Sequence, residues 1–590
     1  MIYHAPSKNI FMEDKKMTKR TFAARIIAIM LLIAMMMTFS ACVKPGNGGG
    51  DVTLDPGGNV RPSGDGVTVV KFWGWGDEGE TEAFTQIVNN FNKKYEGVIR
   101  VEYTQRPATT YGETLLTVLA GKNGPDVFYA SDNFFKQYAT MGYLLDITEY
   151  YNNGLTLREN DVFPNTISRF RYDVETTTSN SDDPLLALPK NLAPTAIFYN
   201  VTQFKEAGVQ IISMTEEEAL AAGYTVRGYD PVAKVFNNKV AMSWEDCVLL
   251  SQHLMDTGAS DYGFFSEWWF NYAWSVGGDC VEYVETTDPA YNGGRYMFTL
   301  NDSSKNYIVK DDFAGTLTVN GTSYKAGELI SYTDKSHLTD ADKANCNELP
   351  SQREAFTEFV RLSQPKSQVV DNVTGVYANT SDFYGADANG DLKGYGITPS
   401  PSAISSDGKV GYFTSGKIGM LFNTLATIGL IQDNMTDEWD VAPALVYKEY
   451  SEDGKEVLVH GVEAAHSVTT AICINKKTTV AQAAYLFAEY ITSEEAQMVQ
   501  VQAGMSVPLQ KDLANSEAFL NSDKNLQVFI DAAYSQTPGD WWYLRDKKWI
   551  DDWSNVLNGD VRNGDMTLTQ FYSDPKFIKT QSLLDEYTKK

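Results

Sequence analysis

The first folded stretch of the chain alternates between strand-like and helix-like segments, and this order restricts the fold more than any other feature of the sequence. Residues 67–73 and 98–103 are rich in β-branched and aromatic side chains. Between them, residues 81–95 repeat apolar side chains at helical spacing. A helix over residues 110–120 and a short buried strand over residues 126–130 are predicted next. This order and spacing predict an α/β fold with a parallel sheet covered by helices.

The same signals recur further along the chain. The predicted elements include strands at residues 196–199, 418–422 and 470–474, and helices that begin with capping boxes at Ser243–Asp246 and Ser351–Glu354. Between residues 283 and 345 the pattern changes to turns rich in Asp, Asn and Gly with short β runs around Asn320-Gly321, a hairpin signal. We therefore predict a β-rich insertion at 283–345.

The N-terminal region predicts export from the cytoplasm. A basic stretch (residues 15–25) precedes an apolar run (26–37) that is too short to span a bilayer core of ~30 Å comfortably. The small residues that end at Cys42 resemble the lipobox of bacterial lipoproteins, although Phe39 stands where Leu is usual. This resemblance implies that residues 1–41 are a signal peptide and that Cys42 is lipidated. A membrane anchor, or a signal cut elsewhere, is the alternative.

Length and charge set further limits on the protein. Residues 42–66 hold eight Gly and three Pro in their last 24 positions, which predicts a flexible linker. The remaining 524 residues are long for one core and predict two or more lobes. Without residues 1–41 the chain has 43 basic and 74 acidic residues, a net charge of −31. Because phosphate binding needs a basic face, this charge argues against nucleic-acid binding.

Two short motifs resemble known binding loops but depart from their patterns. Residues 411–418 (GYFTSGKI) come close to a phosphate-binding loop, but Ile418 follows the Lys where Ser or Thr must hold magnesium. Residues 387–391 begin like a calcium loop but lack its Gly and its final Glu, so that an ordinary Asx turn is favoured and calcium binding stays open.

The Cys and His residues indicate no metal or cofactor site. Cys247, Cys280, Cys346 and Cys473 contain no C-x-x-C pair, and the five His are scattered. Buried free thiols are favoured, and Cys280 with Cys346 is the one disulfide pairing worth a test.

Clusters of Trp beside acids are the strongest binding signal. They are Trp73, Trp75, Asp77 and Glu78 after the first strand; Glu267, Trp268 and Trp269; and Trp541 and Trp542 with Trp549. An aromatic ring covers the apolar face of a sugar, and a carboxylate accepts hydrogen bonds from its hydroxyl edge. These clusters therefore favour a carbohydrate site, with burial in a hydrophobic core as the alternative for each Trp.

Several segments resemble, in order, the extracellular solute-binding proteins of the maltose-binding type, which serve bacterial ABC importers. They include residues 123–128 (NGPDVF), 413–420 (FTSGKIGM), 488–497 (AEYITSEEAQ) and 504–508 (GMSVP). The resemblance implies two α/β lobes of the type II periplasmic-binding-protein fold: residues 67–190 and 430–492 in the first, and residues 191–429 and 493–590 in the second. The chain would cross between lobes near 189–195, 422–430 and 490–497.

The resemblance implies a ligand cleft between the lobes, with contact residues at the positions of this sequence that match those of the family. The implied contact residues are Trp73, Trp75, Asp77, Glu78, Tyr129, Asp132 and Asn133 of the first lobe, and Glu267, Trp268, Trp269, Trp541, Trp542 and Trp549 of the second. Ala193 stands where the maltose binder has a contacting Glu, which argues against maltose itself.

The resemblance implies a monomeric, lipid-anchored receptor on the outer face of the bacterial cell membrane. It would bind an oligosaccharide without catalysis or cofactor and deliver it to an ABC permease. Two alternatives stay open. A surface glycoside hydrolase needs two carboxylates roughly 5–10 Å apart across the scissile bond. A receptor for a peptide or polyamine would fit the negative charge, but the Trp clusters favour sugars.

Overall fold

The computed structural model describes residues 50–54, 59–121, 123–154, 156–372, 386–404, 408–537 and 544–590. The predicted signal peptide, Cys42, Trp541 and Trp542 lie outside these ranges. The side chains of Asp132 and Asn133 are likewise outside the described part of the chain.

The described residues form the following strands. They are β1 Val52–Leu54, β2 Val60–Pro62, β3 Thr68–Trp75, β4 Ile99–Arg106, β5 Val127–Ala130, β6 Ala187–Pro189, β7 Ala193–Asn200, β8 Gln210–Ile212, β9 Tyr229–Asp230, β10 Val235–Asn237, β11 Tyr262–Ser266, β12 Val281–Glu285, β13 Gly294–Phe298, β14 Asn306–Val309, β15 Leu317–Val319, β16 Thr322–Tyr324, β17 Cys346–Leu349, β18 Val369–Asp371, β19 Leu392–Lys393, β20 Ile418–Thr424, β21 Trp439–Ala442, β22 Lys448–Tyr450, β23 Val457–His460, β24 Ser467–Val468 and β25 Ala471–Ile474.

The α-helices of the same ranges surround these strands. They are Glu78–Lys94, Tyr111–Ala120, Asp132–Thr140, Thr148–Asn153, Val201–Glu206, Glu216–Ala221, Trp244–Asp256, Phe270–Ser275, Asp340–Lys343, Gln352–Ser363, Pro401–Ile404, Gly408–Thr414, Ile428–Asn434, Ala481–Ile491, Glu494–Gln502, Lys511–Ala514, Glu517–Leu520, Gln527–Tyr534, Lys548–Val556, Leu568–Phe571, Pro575–Ile578 and Thr580–Thr588. A short π-helix, Leu557–Val561, continues the helix that ends at Val556.

The first sheet has the strand order β4-β3-β5-β25-β6. Strand β3 is parallel to β4 and β5, whereas β25 runs antiparallel to β5 and β6. The first five elements predicted from the sequence are thus confirmed, since β3, β4, β5 and the two helices between them occur where expected. Helix Glu78–Lys94 buries Phe84, Ile87 and Phe91 against this sheet, which places the apolar stripe of the sequence in the core.

The second sheet has the order β11-β20-β7-β21, and β24 also pairs with β7. Strand β7 is buried along its whole length, and β20 and β21 flank it antiparallel. Helices Trp244–Asp256 and Gln352–Ser363 pack in this lobe, and each begins with the capping box predicted for it, at Ser243 and Ser351. The molecule therefore consists of two α/β lobes, each built on one sheet.

The chain passes from β6 of the first sheet to β7 of the second at residues 189–193, where a crossing near 189–195 was expected, whereas the other strand pairings do not follow the expected boundaries. The crossing predicted at 422–430 is wrong because β20 and β21, on either side of it, both pair with β7. The second crossing lies at 468–471, between β24 and β25, so residues 430–468 belong to the second lobe. The predicted boundary at 493 is also wrong, because helix Glu494–Gln502 packs against helix Glu78–Lys94 of the first lobe.

Part of the predicted flexible linker is folded. Strands β1 and β2 pair antiparallel, and Val52 is buried in the core of the first lobe. The Asp51 carboxylate accepts hydrogen bonds from the backbone N–H groups of Gln482 (2.8 Å) and Ala483 (3.0 Å) at the start of helix Ala481–Ile491. The prediction of an unstructured segment is therefore wrong for residues 50–54 and 59–66. Asp51 and Val52 thus contribute to docking this Gly-rich segment on the first lobe.

The region predicted as a β-rich insertion at 283–345 is rich in short strands, from β12 to β17. It contains the hairpins β12–β13 and β15–β16 and the antiparallel pair β14–β17. The Asn320-Gly321 turn joins β15 to β16, and both residues have positive φ (48° and 90°), as a tight hairpin turn requires. A small separate core that includes Val309, Val319 and Leu338 holds the insertion together.

Other sequence motifs take ordinary structural roles. In residues 408–424 the helix precedes strand β20, the reverse of the strand–loop–helix order of a phosphate-binding loop. Asp387 accepts hydrogen bonds from the backbone N–H groups of Asn389 (2.9 Å) and Asp391 (3.1 Å), the Asx turn favoured above. Cys247, Cys280, Cys346 and Cys473 are buried free thiols, so Cys280 and Cys346 are not joined. No helix of the described ranges is long and apolar enough to cross a membrane.

Candidate ligand-binding cleft

A cavity of about 460 Å³ lies between the two lobes, within the range of roughly 300–1,000 Å³ typical of small-molecule sites. The first lobe supplies Lys136, Asn165, Ser168, Arg169 and Ser179 to its lining. The second lobe supplies Trp274 and Asp279, and the hairpin β12–β13 of the insertion supplies Glu282, Tyr283 and Tyr296. Any molecule bound here would touch both lobes at once.

The first-lobe wall is basic. Lys136 lies on the helix that follows β5, its ammonium group donates to the Ser179 hydroxyl, and it lies 4.3 Å from the centre of the Tyr172 ring. Burial lowers the pKa of Lys136 to about 7, and the charge of Asp183 opposes this shift. Arg169 is buried and donates from Nη1 to the carbonyl oxygen of Ser467 (2.7 Å), next to the second lobe crossing. This wall presents hydrogen-bond donors.

The opposite wall is aromatic and belongs to the second lobe. Trp274 lies in the last turn of the short helix Phe270–Ser275, and its ring stacks on His466 with 5.9 Å between centroids. Asn271 on the same helix donates from Nδ2 to the carbonyl oxygen of Ala464 (3.2 Å), which also lines the cavity. The helix thus fixes Trp274 relative to the chain that crosses between the lobes.

The hairpin β12–β13 adds a wall with both aromatic and acidic character. The rings of Tyr283 and Tyr296 meet edge to face at 5.2 Å between centroids. Burial raises the pKa of Glu282 to about 7, while a hydrogen bond from the Asp279 backbone and the charge of Lys335 act in the opposite direction. With Asp279 beside it, this side of the cavity presents acceptors opposite the donors of the first lobe.

Such a cavity suits a neutral molecule rich in hydroxyl groups. A hydroxyl both donates and accepts, so it satisfies a carboxylate on one side and a Lys or Arg on the other. The rings of Trp274, Tyr283 and Tyr296 offer apolar area for the remaining faces. Among the described residues, no group of His, Cys, Asp and Glu is arranged to hold a metal ion.

The residues predicted around β3 belong to the first lobe and do not line the cavity. Trp73 is partly buried beneath Arg106, whose guanidinium carbon lies 4.1 Å from the ring centroid. Trp75 packs edge-on against Tyr129 at 5.1 Å, and Tyr129 itself is fully buried in the core. Burial raises the pKa of the Tyr129 hydroxyl well above its usual value, as expected of a core residue.

Asp77 and Glu78 mark the start of the helix that follows β3. The Asp77 side chain accepts a hydrogen bond from the backbone N–H of Glu80 (2.9 Å) and caps the helix. Glu80 pairs with Lys190 at 2.5 Å, and Lys190 lies at the first lobe crossing. This loop is thereby linked to the chain that joins the lobes.

The predicted cluster at the end of β11 is divided by the fold. Trp268 is partly exposed, and its ring meets His466 at 5.6 Å, so one imidazole separates it from Trp274 in the cavity wall. Glu267 pairs with Lys409 at the surface. Trp269 is 4% exposed, as is Trp274, but unlike Trp274 it does not line the cavity and packs edge-on against Phe356 at 5.1 Å, which makes it a core residue.

Trp549 is likewise a core residue rather than a cavity residue. It is 1% exposed and lies between Phe298 and Trp553. Trp541 and Trp542 fall outside the described residues, but Thr537 and Leu544 on either side of them line the cavity. Asp132 and Asn133 begin the helix that carries Lys136, and their side chains are outside the description.

Sequence reasoning missed most of the cavity lining. Lys136, Arg169, Glu282 and Tyr296 stand in no Trp cluster, and two of them belong to the insertion. The one available signal was Trp274, which the sequence places close to Glu267 and Trp268.

Comparison with known proteins agrees with the two-lobe architecture. Residues 86–528 match the family described as bacterial extracellular solute-binding protein. An ABC substrate-binding protein from Listeria monocytogenes in complex with cycloalternan superposes with a TM-score of 0.56 at 16% identity, covering 88% of this chain and 99% of that one. No curated protein is similar enough in sequence to count as a match.

Two further solved structures are similar. The cyclic alpha-maltosyl-1,6-maltose binding protein from Arthrobacter globiformis has a TM-score of 0.54 at 14% identity over 88% of this chain and all of that one. UgpB from Mycobacterium tuberculosis, in complex with glycerophosphocholine, has a TM-score of 0.54 at 11% identity over 88% and 98%. At these identities the likeness shows the fold alone. The match over residues 86–528, together with the two lobes and the cavity between them, shows that the chain belongs to the bacterial extracellular solute-binding protein family.

Proposed function

We propose that this protein is the receptor of an ABC importer that binds a carbohydrate, such as an oligosaccharide, in the cavity between its lobes. The observation that carries the proposal is the composition of that cavity, with donors from the first lobe, acceptors from the second, and three aromatic rings. Two of the similar solved structures are named for saccharide ligands, cycloalternan and cyclic alpha-maltosyl-1,6-maltose.

The function needs only binding and release. Because both lobes contribute to the cavity, a ligand makes more contacts when the lobes are closed than when they are apart. Binding then shifts the population towards the closed form, the form that a permease would recognise. The energy available for this shift is the difference between the ligand's affinities for the two forms.

We further propose that the protein acts as a monomer held at the outer face of the cell membrane by a lipid on Cys42. Asp51, nine residues after Cys42, is docked on the first lobe, where it caps helix Ala481–Ile491. Nine residues span at most ~30 Å when fully extended, so the lobe would stay close to the membrane and to a permease in it.

A screen of thermal unfolding against linear and cyclic oligosaccharides tests the proposal. A ligand at 100 times its Kd adds about 2.7 kcal/mol of stability. The variant Lys136→Met removes a donor from the cavity and should weaken binding of the best saccharide by roughly tenfold. Lys71→Met, an exposed Lys on β3, is the matched control and should bind like the wild type. A screen in which no saccharide raises Tm would refute the proposal.

Glycoside hydrolysis is the second candidate, because a carboxyl group whose pKa is raised to about 7 lies in the cavity beside another acid. A raised pKa suits a general acid. However, hydrolysis needs carboxylates on both sides of the scissile bond, whereas Glu282 and Asp279 line the same side. Incubation with the bound saccharide decides the matter, since new reducing ends would appear only with a hydrolase.

A further inference from the structure

The hairpin β12–β13 is firmly attached to the second lobe. Arg295 forms two ion-pair contacts with Asp585, Nε to Oδ1 at 2.7 Å and Nη2 to Oδ2 at 3.0 Å. Gln581 accepts from the backbone N–H of Phe298 (2.9 Å) and donates to the carbonyl oxygen of Tyr296 (2.8 Å). Both partners lie on the C-terminal helix, so the hairpin moves with the second lobe.

The same hairpin also reaches the first lobe. The Tyr296 hydroxyl donates to the carbonyl oxygen of Thr177 (2.8 Å), and Asn292 donates from Nδ2 to the carbonyl oxygen of Glu175 (3.0 Å). These two hydrogen bonds join the lobes directly beside the cavity.

The turn that receives these bonds is well formed. The Asp173 side chain accepts from the backbone N–H groups of Glu175 (2.7 Å) and Thr176 (2.8 Å), and these bonds lower the pKa of its carboxyl. Thr177 has a positive φ of 59°, a conformation uncommon for a β-branched residue. The turn thus holds its carbonyl groups in a fixed arrangement opposite the hairpin.

Between these two attachments the hairpin faces the ligand space with Glu282, Tyr283 and Tyr296. Tyr296 therefore contacts both the ligand space and the first lobe, since its ring lines the cavity while its hydroxyl donates to the carbonyl oxygen of Thr177. A ligand that displaces this ring breaks a bond between the lobes, and a ligand that packs against it preserves that bond.

We propose that the hairpin β12–β13 determines ligand specificity, with Glu282 accepting hydrogen bonds from sugar hydroxyls and Tyr296 making closure depend on the fit of the ligand. This inference rests on the proposed function and assigns a role to the insertion. The hairpin would select saccharides that place vicinal hydroxyl groups against it and leave the Tyr296 ring in place.

Titration calorimetry with maltotriose, maltotetraose and α-cyclodextrin as probes tests the inference on the full mature protein. At pH 8, above the pKa of about 7 that burial gives Glu282, Glu282→Gln should weaken the best-bound probe by on the order of tenfold or more, because a charged acceptor is lost. Tyr296→Phe should weaken it by roughly three- to tenfold. Both variants should also change the ranking of the probes.

Two matched controls separate specificity from folding. Glu285→Gln changes an exposed acid on the same strand, and Tyr324→Phe removes a hydroxyl that bonds Asp334 inside the insertion. Both should bind the probes within twofold of the wild type. In the bound state, hydrogen exchange of residues 173–178 should rise in Tyr296→Phe and stay unchanged in Tyr324→Phe.

The outcomes are distinct. A wild type that binds none of the probes overturns the proposed function and this inference with it. A wild type that binds, with Glu282→Gln and Tyr296→Phe showing the same affinities and ranking, overturns the inference alone. If Glu282→Gln is unfolded, the exchange measurement on Tyr296→Phe decides by itself, and unchanged protection of residues 173–178 counts against the inference.

Discussion

Replacing Trp269 by Ala distinguishes a core residue from a ligand contact. The sequence predicted that this Trp stacks on the ligand, whereas the structure buries it to 4% exposure against Phe270 and Phe356. Truncation of a buried aromatic residue to Ala costs about 3–5 kcal/mol, partly through the cavity that it leaves. We expect that loss in the free energy of unfolding, with sugar affinity unchanged.

The corresponding change in Tm is small but measurable. An unfolding entropy of roughly 2.1 cal/mol/K per residue gives about 1.1 kcal/mol/K for a mature chain of this size. The expected decrease in Tm is therefore about 3–4 °C. Trp549→Ala should behave alike, because Trp549 is 1% exposed between Phe298 and Trp553.

The assay combines urea denaturation with calorimetric titration of the saccharide found by the thermal screen. Lys136→Met is the reciprocal comparison: it should lower affinity without lowering the free energy of unfolding, because burial of the Lys136 ammonium, which lowers its pKa, already costs the folded state stability. Trp269→Ala with unchanged stability and a tenfold weaker affinity would refute the assignment of Trp269 to the core.

Three further predictions concern the linker, the cavity and the anchor. Asp51→Ala removes the acceptor at the start of helix Ala481–Ile491 and should lower the free energy of unfolding, measured in urea, by about 0.5–2 kcal/mol. An unchanged urea midpoint would count against the docking of strands β1 and β2 on the first lobe. Between pH ~4.5 and ~7 the folded state retains a proton on Glu282 that the unfolded state has released. As the pH rises through this range, the free energy of unfolding of the wild type should therefore fall relative to that of Glu282→Gln. Parallel curves of unfolding free energy against pH for the two proteins would contradict the raised pKa of Glu282. Cys42→Ser should move the protein from the membrane fraction to the medium, and its retention on membranes would refute the lipid anchor.

Local structure was largely predictable from the sequence. Apolar residues at helical spacing in 81–95 and alternating burial along β3 are signals within a single element, and both elements formed as predicted. The capping boxes at Ser243 and Ser351 and the Asn320-Gly321 turn are likewise local, because a few neighbouring backbone groups decide them.

Lobe membership and the site were less predictable, since they depend on pairing between distant segments. The pattern of β21 predicts a strand but does not reveal that the strand pairs with β7 rather than with the first sheet. Trp268 and Trp269 are neighbours in sequence, yet one is partly exposed near the cavity and the other is in the core. Glu282 and Tyr296 reach the cavity only because a hairpin of the insertion folds over it.

Titration of the mature protein with the saccharide panel, followed by analysis of the recovered sugar, tests the central claim most directly. The account predicts saturable binding of one saccharide per chain, weakened by Lys136→Met, with the sugar recovered intact. Absence of binding to every saccharide, or recovery of shortened products with new reducing ends, would contradict it.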